Sequence, residues 1–357
     1  MSNDAAPSFS SPIFRERVLE ALNSELHEDA VRSAFAQNER FCLFSDSFEG
    51  NGKGVEMLLE FTESGSATGS LSLPIELASN GEGIFLGEWK VDVSVDGRKL
   101  APVGNWETLC VDLDKSYVFC ERSLLLEGGR RLSRRILLSY AEKILLLVDE
   151  LLPSAADRAN PVPRELRAFF DVPSETKVQR APCAPLLLFR AQNAPFTTAR
   201  GEAEEPSQSK APTEPSSPAS IVSRVFPLGL PSCDQNLAAL GNLEFNAESG
   251  KVSFRVVSPT STLFCPLLFD FNRRRALRDF SWTPLTVGEN LKVADKKDAF
   301  GAKLQLGKEQ YVLYASTSER PAVRSILGRR LLSDFLFGKF ISSRGVYPLV
   351  EIELDEN

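Results

Sequence analysis

Residues 117–152 read YVFCERSLLLEGGRRLSRRILLSYAEKILLLVDELL. Three apolar runs are separated by Gly128-Gly129 and by Ala141-Glu142. Each run is short, rich in branched residues and bounded by turn formers, which is the pattern of β-strands joined by tight connections. With ETLCVDL before them, set off at Asp114-Lys115, they make consecutive hairpins, and consecutive hairpins make an antiparallel meander. The last run, KILLLVDELL, does not alternate. Its apolar residues continue until Asp149 and Glu150.

The same reading extends outward. In WKVDVSVDGRKLAPV, Val91, Val93 and Val95 alternate with Asp92 and Ser94, and Asp96-Gly97 supplies a hairpin turn. Strand patterns recur upstream from Arg40 and downstream in ELRAFFDV, PLLLFRAQ, GKVSFRVVS, TLFCPLLFDF, EQYVLYAS and YPLVEIELDE. Residues 153–163 form a polar, Pro-containing connection, and a short helix is expected at RSILGRRLLSDFL. At the N-terminus, Ser11 and Pro12 read as N-cap and first helical position. Phe14, Val18, Leu22 and Leu26 follow at helical spacing, and the segment ends near Asn38. Residues 197–220, with Pro206, Pro212, Pro215 and Pro218 among Ser and Glu, lack the apolar content to pack and read as a disordered surface insertion. The expected architecture is mainly β: a large antiparallel β-sandwich over residues 39–357, preceded by a tail and short α-helical segment over 1–38.

Composition narrows the function classes. The 357 residues carry 41 Lys and Arg against 48 Asp and Glu, a net charge of −7. That balance argues against a general affinity for nucleic acid or for an anionic membrane surface. The N-terminus shows no basic segment followed by an apolar one, and no run approaches a membrane span of about 18 apolar residues. The expected compartment is the cytoplasm. One histidine, His27, weakens every imidazole-based triad, and the six cysteines form no C-x-x-C pair, so no metal or cofactor is expected. Free, buried thiols are the natural reading. Phosphate-cradling and nucleophile-elbow motifs are also missing.

The run from Tyr117 to Leu152, ending in Val148-Asp149-Glu150-Leu151, resembles the core hairpins of the C-terminal β-sandwich in heparinase II/III-type proteins. The stretch ILGRRLLSDFLFGKF followed by YPLVEIE is similar to the tail of uncharacterised bacterial proteins of the same sandwich type. The resemblance implies the sandwich. The lyases of that family carry their chemistry mainly on an α-helical toroid ahead of it, and this chain has fewer than forty residues before its first expected strand. No catalytic residue is therefore carried over.

The candidate chemistry lies on the hairpins. Arg130, Arg131, Arg134 and Arg135 form the densest basic group. Alternation places Arg131 and Arg135 on one face, suited to bidentate recognition of a carboxylate or sulfate. Asp149 and Glu150 close the apolar strand, and an ion pair between Arg135 and Asp149 across the Ala141-Glu142 turn is expected. Arg131, Arg135, Asp149 and Glu150 are thus the candidate ligand-binding residues. Asp112 and Asp114 share a face but lie beside a turn, Arg273 to Arg275 follow an aromatic strand at a turn, and His27 sits among acids. Of Trp89, Trp106 and Trp282, at least two are expected in the core. The reading is a non-catalytic module binding a protein or an acidic glycan. The alternative is a carbohydrate-active enzyme, a polysaccharide lyase or sugar epimerase relative, acting on acidic sugars.

Overall fold

The strand Tyr117–Leu126 reverses through Glu127–Gly129, where Gly128 (φ 75°) and Gly129 (φ 72°) both take the left-handed conformation that glycine adopts without strain. Arg130–Ser139 runs back beside it, and a turn ending at Lys143 (φ 54°) leads into Ile144–Leu152. In this computed structural model the described residues are 40–45, 55–60 and 71–353, apart from 80–81, 115, 140, 160–161, 175, 182–183, 192–220, 233–239, 260–261 and 319–321. The expected N-terminal helix, His27 and the insertion at 197–220 lie outside them.

The protein is mainly β, with strands paired antiparallel. The meander forms half of an eight-stranded central sheet. Its order is Thr176–Arg180, Leu187–Ala191, Ile221–Pro227, Leu263–Asp270, Ile144–Leu152, Arg130–Ser139, Tyr117–Leu126 and Glu107–Asp114. A second eight-stranded sheet contains Glu82–Val95, Arg164–Asp171 and Lys251–Ser258 side by side. A five-stranded sheet contains Ala299–Leu306, Glu309–Ser316, Ser333–Ile341 and the terminal Gly345–Glu353, and a four-stranded sheet of short strands completes the described architecture.

The cores show how these layers stack. Leu132, Ile136, Leu138, Leu145, Leu147 and Leu151 project from one face of the central sheet into a core shared with Trp89, Val91, Val93, Leu166, Phe170 and Phe254 of the second sheet. Leu137, Leu146 and Val148 project from the other face, onto Trp282, Leu304, Leu313, Phe335 and Phe337 of the five-stranded sheet. The outer face of that sheet is covered in turn, where Val312, Tyr314 and Leu336 pack on Val287, Ile326 and Leu331. The central sheet is therefore enclosed on both sides. This is why Ile144–Leu152 and Leu263–Asp270 are apolar without alternation: neither face of either strand meets water.

One expected element is corrected. RSILGRRLLSDFL is not a helix. Arg324–Ile326 and Arg329–Leu331 pair as a hairpin around Leu327 (φ 48°) and Gly328 (φ 81°), and Ser333–Ile341 is a strand. Two successive left-handed residues form the tight turn that suits strand twist, and that local geometry overrides the helical spacing of the leucines. Conversely, the connection after Leu152 holds a short helix, Ala155–Ala159, with Ser154 accepting from the Asp157 backbone N–H at its start.

Double burial makes a simple test. Leu146 and Leu147 are adjacent, 0% and 3% exposed, and face opposite cores. Leu146→Ala and Leu147→Ala should each lower the unfolding free energy by about 2–5 kcal/mol, read from urea midpoints. A strand with one wet face would lose that much for only one of the two.

Candidate functional site

The four candidate residues do not converge. Register places Arg134 opposite Asp149 and Arg135 opposite Val148, so Asp149 and Arg135 lie on different faces of the sheet. The expected partnership of Arg135 with Asp149 is not formed; each charge pairs on its own side. Arg134 Nε donates to Asp149 Oδ1 (2.7 Å), and Trp89 Nε1, from the second sheet, donates to Oδ2 (2.7 Å). On the other face Arg135 donates to Glu150 Oε2 (2.7 Å) and sits 3.1 Å from Glu121 Oε1, which also accepts from the Ser133 hydroxyl (2.7 Å). Asp149 is 2% exposed, Glu150 1% and Arg135 7%. Arg131 is exposed near the Gly128-Gly129 turn, across from Leu125 and Leu152.

The Glu150 cluster holds more acid than base. Burial pushes the Glu150 carboxyl up to about 7. Arg135 pulls it down, while Glu121 and, from the facing sheet, Asp334 push it further up. Asp334 is itself raised, first by its burial.

A second buried network lies toward the opposite end of the hairpin. Asp270 accepts from Arg224 (2.7 Å) and Arg275 (2.7 Å). Arg275 also donates to the Glu142 carbonyl (2.7 Å) and to Tyr311, whose hydroxyl donates to Glu142 Oε2 (2.5 Å). Lys339 closes on Glu142 Oε1 (2.7 Å). Of the basic group at 273–275, Arg275 is thus consumed in joining two turns to the five-stranded sheet, while Arg273 and Arg274 are exposed.

The other sequence candidates resolve locally. Asp112 accepts from the Tyr117 hydroxyl (2.6 Å), and Asp114 accepts from Ser116 N (2.9 Å) at the turn. Trp89 and Trp282 are buried, and Trp106 is half-buried. Cys110, Cys120 and Cys265 are free thiols, and burial pushes Cys120 up to about 12. Among the described residues no group of three or more His, Cys, Asp or Glu side chains is placed to hold a metal ion.

A concave feature of the described surface lies at the Gly128-Gly129 end, between the second and central sheets. It is a groove of about 780 Å³ with Val95, Leu100, Val103 and Val162 as its apolar lining. Its polar groups are Asp96, Arg98, Glu127, Arg130 and Asp157. Asp157 is fixed from three directions, by Arg130 (2.7 Å), Arg164 (3.0 Å) and Ser154 (2.9 Å). Burial pushes its carboxyl up, but these donors more than offset that and hold it below the usual range. Arg98 reaches Glu127 at 3.3 Å from a 78%-exposed side chain. Sequence reading passed over this groove because its parts come from three separated segments. The local signal was Ser154-x-x-Asp157, the spacing of a helix-capping pair.

No family model and no curated protein matches the chain. Solved structures similar to it include the heparan sulfate lyase HepC from Pedobacter heparinus (9% identity, TM-score 0.46), aligned over 79% of this chain and 42% of that one. A heparinase III structure aligns at 11% identity and TM-score 0.42, over 78% of this chain and 41% of that one. A β-arabinopyranosidase aligns at 8% identity and TM-score 0.32, over 65% and 40%. The chain spans less than half the length of each. No helix among the described residues is long and apolar enough to cross a membrane.

The raised Glu150 carboxyl has a consequence for stability. Between about pH 4.5 and 7 the folded state keeps a proton that the unfolded chain has released. Native stability should therefore fall as pH rises through that window, by up to about 3 kcal/mol from this group. Glu150→Gln keeps the shape and cannot titrate. Its unfolding free energy should gain on the wild type between pH 5 and pH 8. Parallel pH curves for the two proteins would contradict the assignment.

Proposed function

We propose that the protein is a non-catalytic glycan-binding β module whose ligand lies in the groove at the Gly128-Gly129 end. The observation that carries this reading is the groove's mixed lining. Val95, Leu100, Val103 and Val162 offer an apolar wall, and Arg130 and Asp157 are fixed hydrogen-bonding groups beside it. A sugar ring presents an apolar face and a rim of hydroxyls, the same division. The volume is that of a small-molecule site. Arg98 pairs with Glu127 only across an exposed contact, worth little, so its guanidinium is available to a carboxylate or sulfate. Arg131 follows Arg130 on the same strand, points to the opposite face of the sheet and lies outside the groove. By contrast, Arg135, Asp149 and Glu150 are buried and support the fold beneath.

A second reading rests on the Glu150 cluster. A carboxylic acid that keeps its proton near neutrality, beside another carboxylate, is what acid–base cleavage of a glycoside uses. Glu150's 1% exposure keeps substrate from it and favours binding over turnover.

The test is a glycan array carrying neutral, uronic acid-containing and sulfated oligosaccharides, followed by titration of the best ligand. Arg98→Ala should weaken binding at least tenfold, with a stability change below about 1 kcal/mol. Unchanged binding by Arg98→Ala would remove the groove from consideration. Release of shortened or unsaturated sugars by the wild type, lost in Glu150→Gln, would establish the enzymatic reading instead.

A further inference from the structure

Arg134 is 2% exposed, and only its Nε is used. Its terminal nitrogens Nη1 and Nη2 are both buried with no hydrogen-bond partner. Asp149 does not reach them: its Oδ1 meets Nε and its Oδ2 meets Trp89 Nε1. A guanidinium with both amino groups unsatisfied inside a protein is costly, and such a group calls for a water or an ion that completes it.

The surroundings favour an anion. Register places Arg122 directly opposite Arg134 on the neighbouring strand, and Arg122 is 5% exposed. Both guanidiniums lie over the ring of Trp106, at 5.0 Å for Arg134 and 5.9 Å for Arg122. Burial, together with the charge of Arg134, lowers the Arg122 proton affinity to about 10, although Cys120 acts the other way. Arg122 also donates to the Trp106 carbonyl (3.4 Å), so both guanidiniums are gathered around Trp106.

The cover is light. Trp106 is half-buried and follows a stretch in which Ala101, Val103 and Asn105 are exposed. That stretch is tied to the hairpin by Val103 N to Leu125 O (2.8 Å) and Glu127 N to Ala101 O (3.0 Å). Trp106 packs at the margin of the core shared with the second sheet, so its ring is what separates the two arginines from solvent.

We infer that Arg134 and Arg122, beneath Trp106, form a binding site for a small oxyanion, a phosphate, sulfate or carboxylate group. The fork of Arg134 binds two oxygens in the plane of its terminal nitrogens, Asp149 fixes the orientation of that plane from behind, and Arg122 adds the second charge. Arg134, Arg122, Trp106 and Asp149 do not line the groove.

The probes are inorganic phosphate and glucuronate, each titrated at ionic strength held constant with sodium chloride, with the melting temperature as readout. Phosphate, glucuronate or both should raise it along a saturable curve, and the arm that responds identifies the anion. Arg134→Lys keeps a charge beside Asp149 but loses the fork, so it should fold and require at least tenfold more anion for half-saturation. The same loss is expected for Arg134→Gln combined with Asp149→Asn, which leaves no lone buried charge. Arg274→Ala, which removes an exposed arginine outside both this site and the groove, should respond as the wild type does, so a general response to anions is told apart from binding here. The absence of a saturable rise in the wild type, or an unchanged half-saturation in both Arg134 variants, would overturn the inference.

Discussion

A strand packed between two sheets has no wet face on which to leave a charge. Ile144–Leu152 is such a strand, and it carries Asp149 and Glu150 in succession. Because neighbouring side chains point to opposite faces, the two carboxylates enter different cores and each must be met there. Arg134 and Arg135, also in succession on the adjacent strand, meet them at one residue per face. The rest of the core is arranged around this double pairing. Trp89 of the second sheet contributes its indole N–H on one side, and Phe335 of the five-stranded sheet lies under Arg135 on the other, 6.0 Å from its guanidinium. The central hairpin thus carries specific polar contacts to both neighbouring layers, beyond what apolar burial alone would specify.

The pairing also separates what supports from what can bind. Of the charges that looked like a ligand face in the sequence, Arg135, Asp149 and Glu150 are committed inside the stack and Arg131 stays exposed at a strand end. At the Gly128-Gly129 end other polar groups border an apolar groove. A fully covered sheet meets solvent at its rim, where loops from different segments come together.

The hairpins were legible because their turns are chemically marked. Gly128-Gly129 and Asp96-Gly97 hold positive φ where the strand breaks were read. The number of layers was hidden. A two-layer sandwich and a multi-layer stack share the same strand lengths, and only the unbroken apolar runs of Ile144–Leu152 and Leu263–Asp270 distinguish them. The helical spacing in residues 324–336 misled because the Leu327-Gly328 turn is set by backbone conformation, which leucine spacing does not report. The partner of Asp149 was misassigned by one residue because distance from a turn says which residues come near, whereas face parity says which can touch. The contact from Trp89, sixty positions away, leaves no local trace. The same holds for the groove, assembled from residues between Val95 and Val162.

The most direct test of the double pairing is a pair of double-mutant cycles on unfolding free energy. One combines Arg134→Gln with Asp149→Asn, and the other combines Arg135→Gln with Asp149→Asn. The structure predicts a coupling above about 1.5 kcal/mol for Arg134 with Asp149, and below about 0.5 kcal/mol for Arg135 with Asp149 across the sheet. A large coupling in the second cycle with little in the first would place both charges on one face and contradict the register on which the account depends.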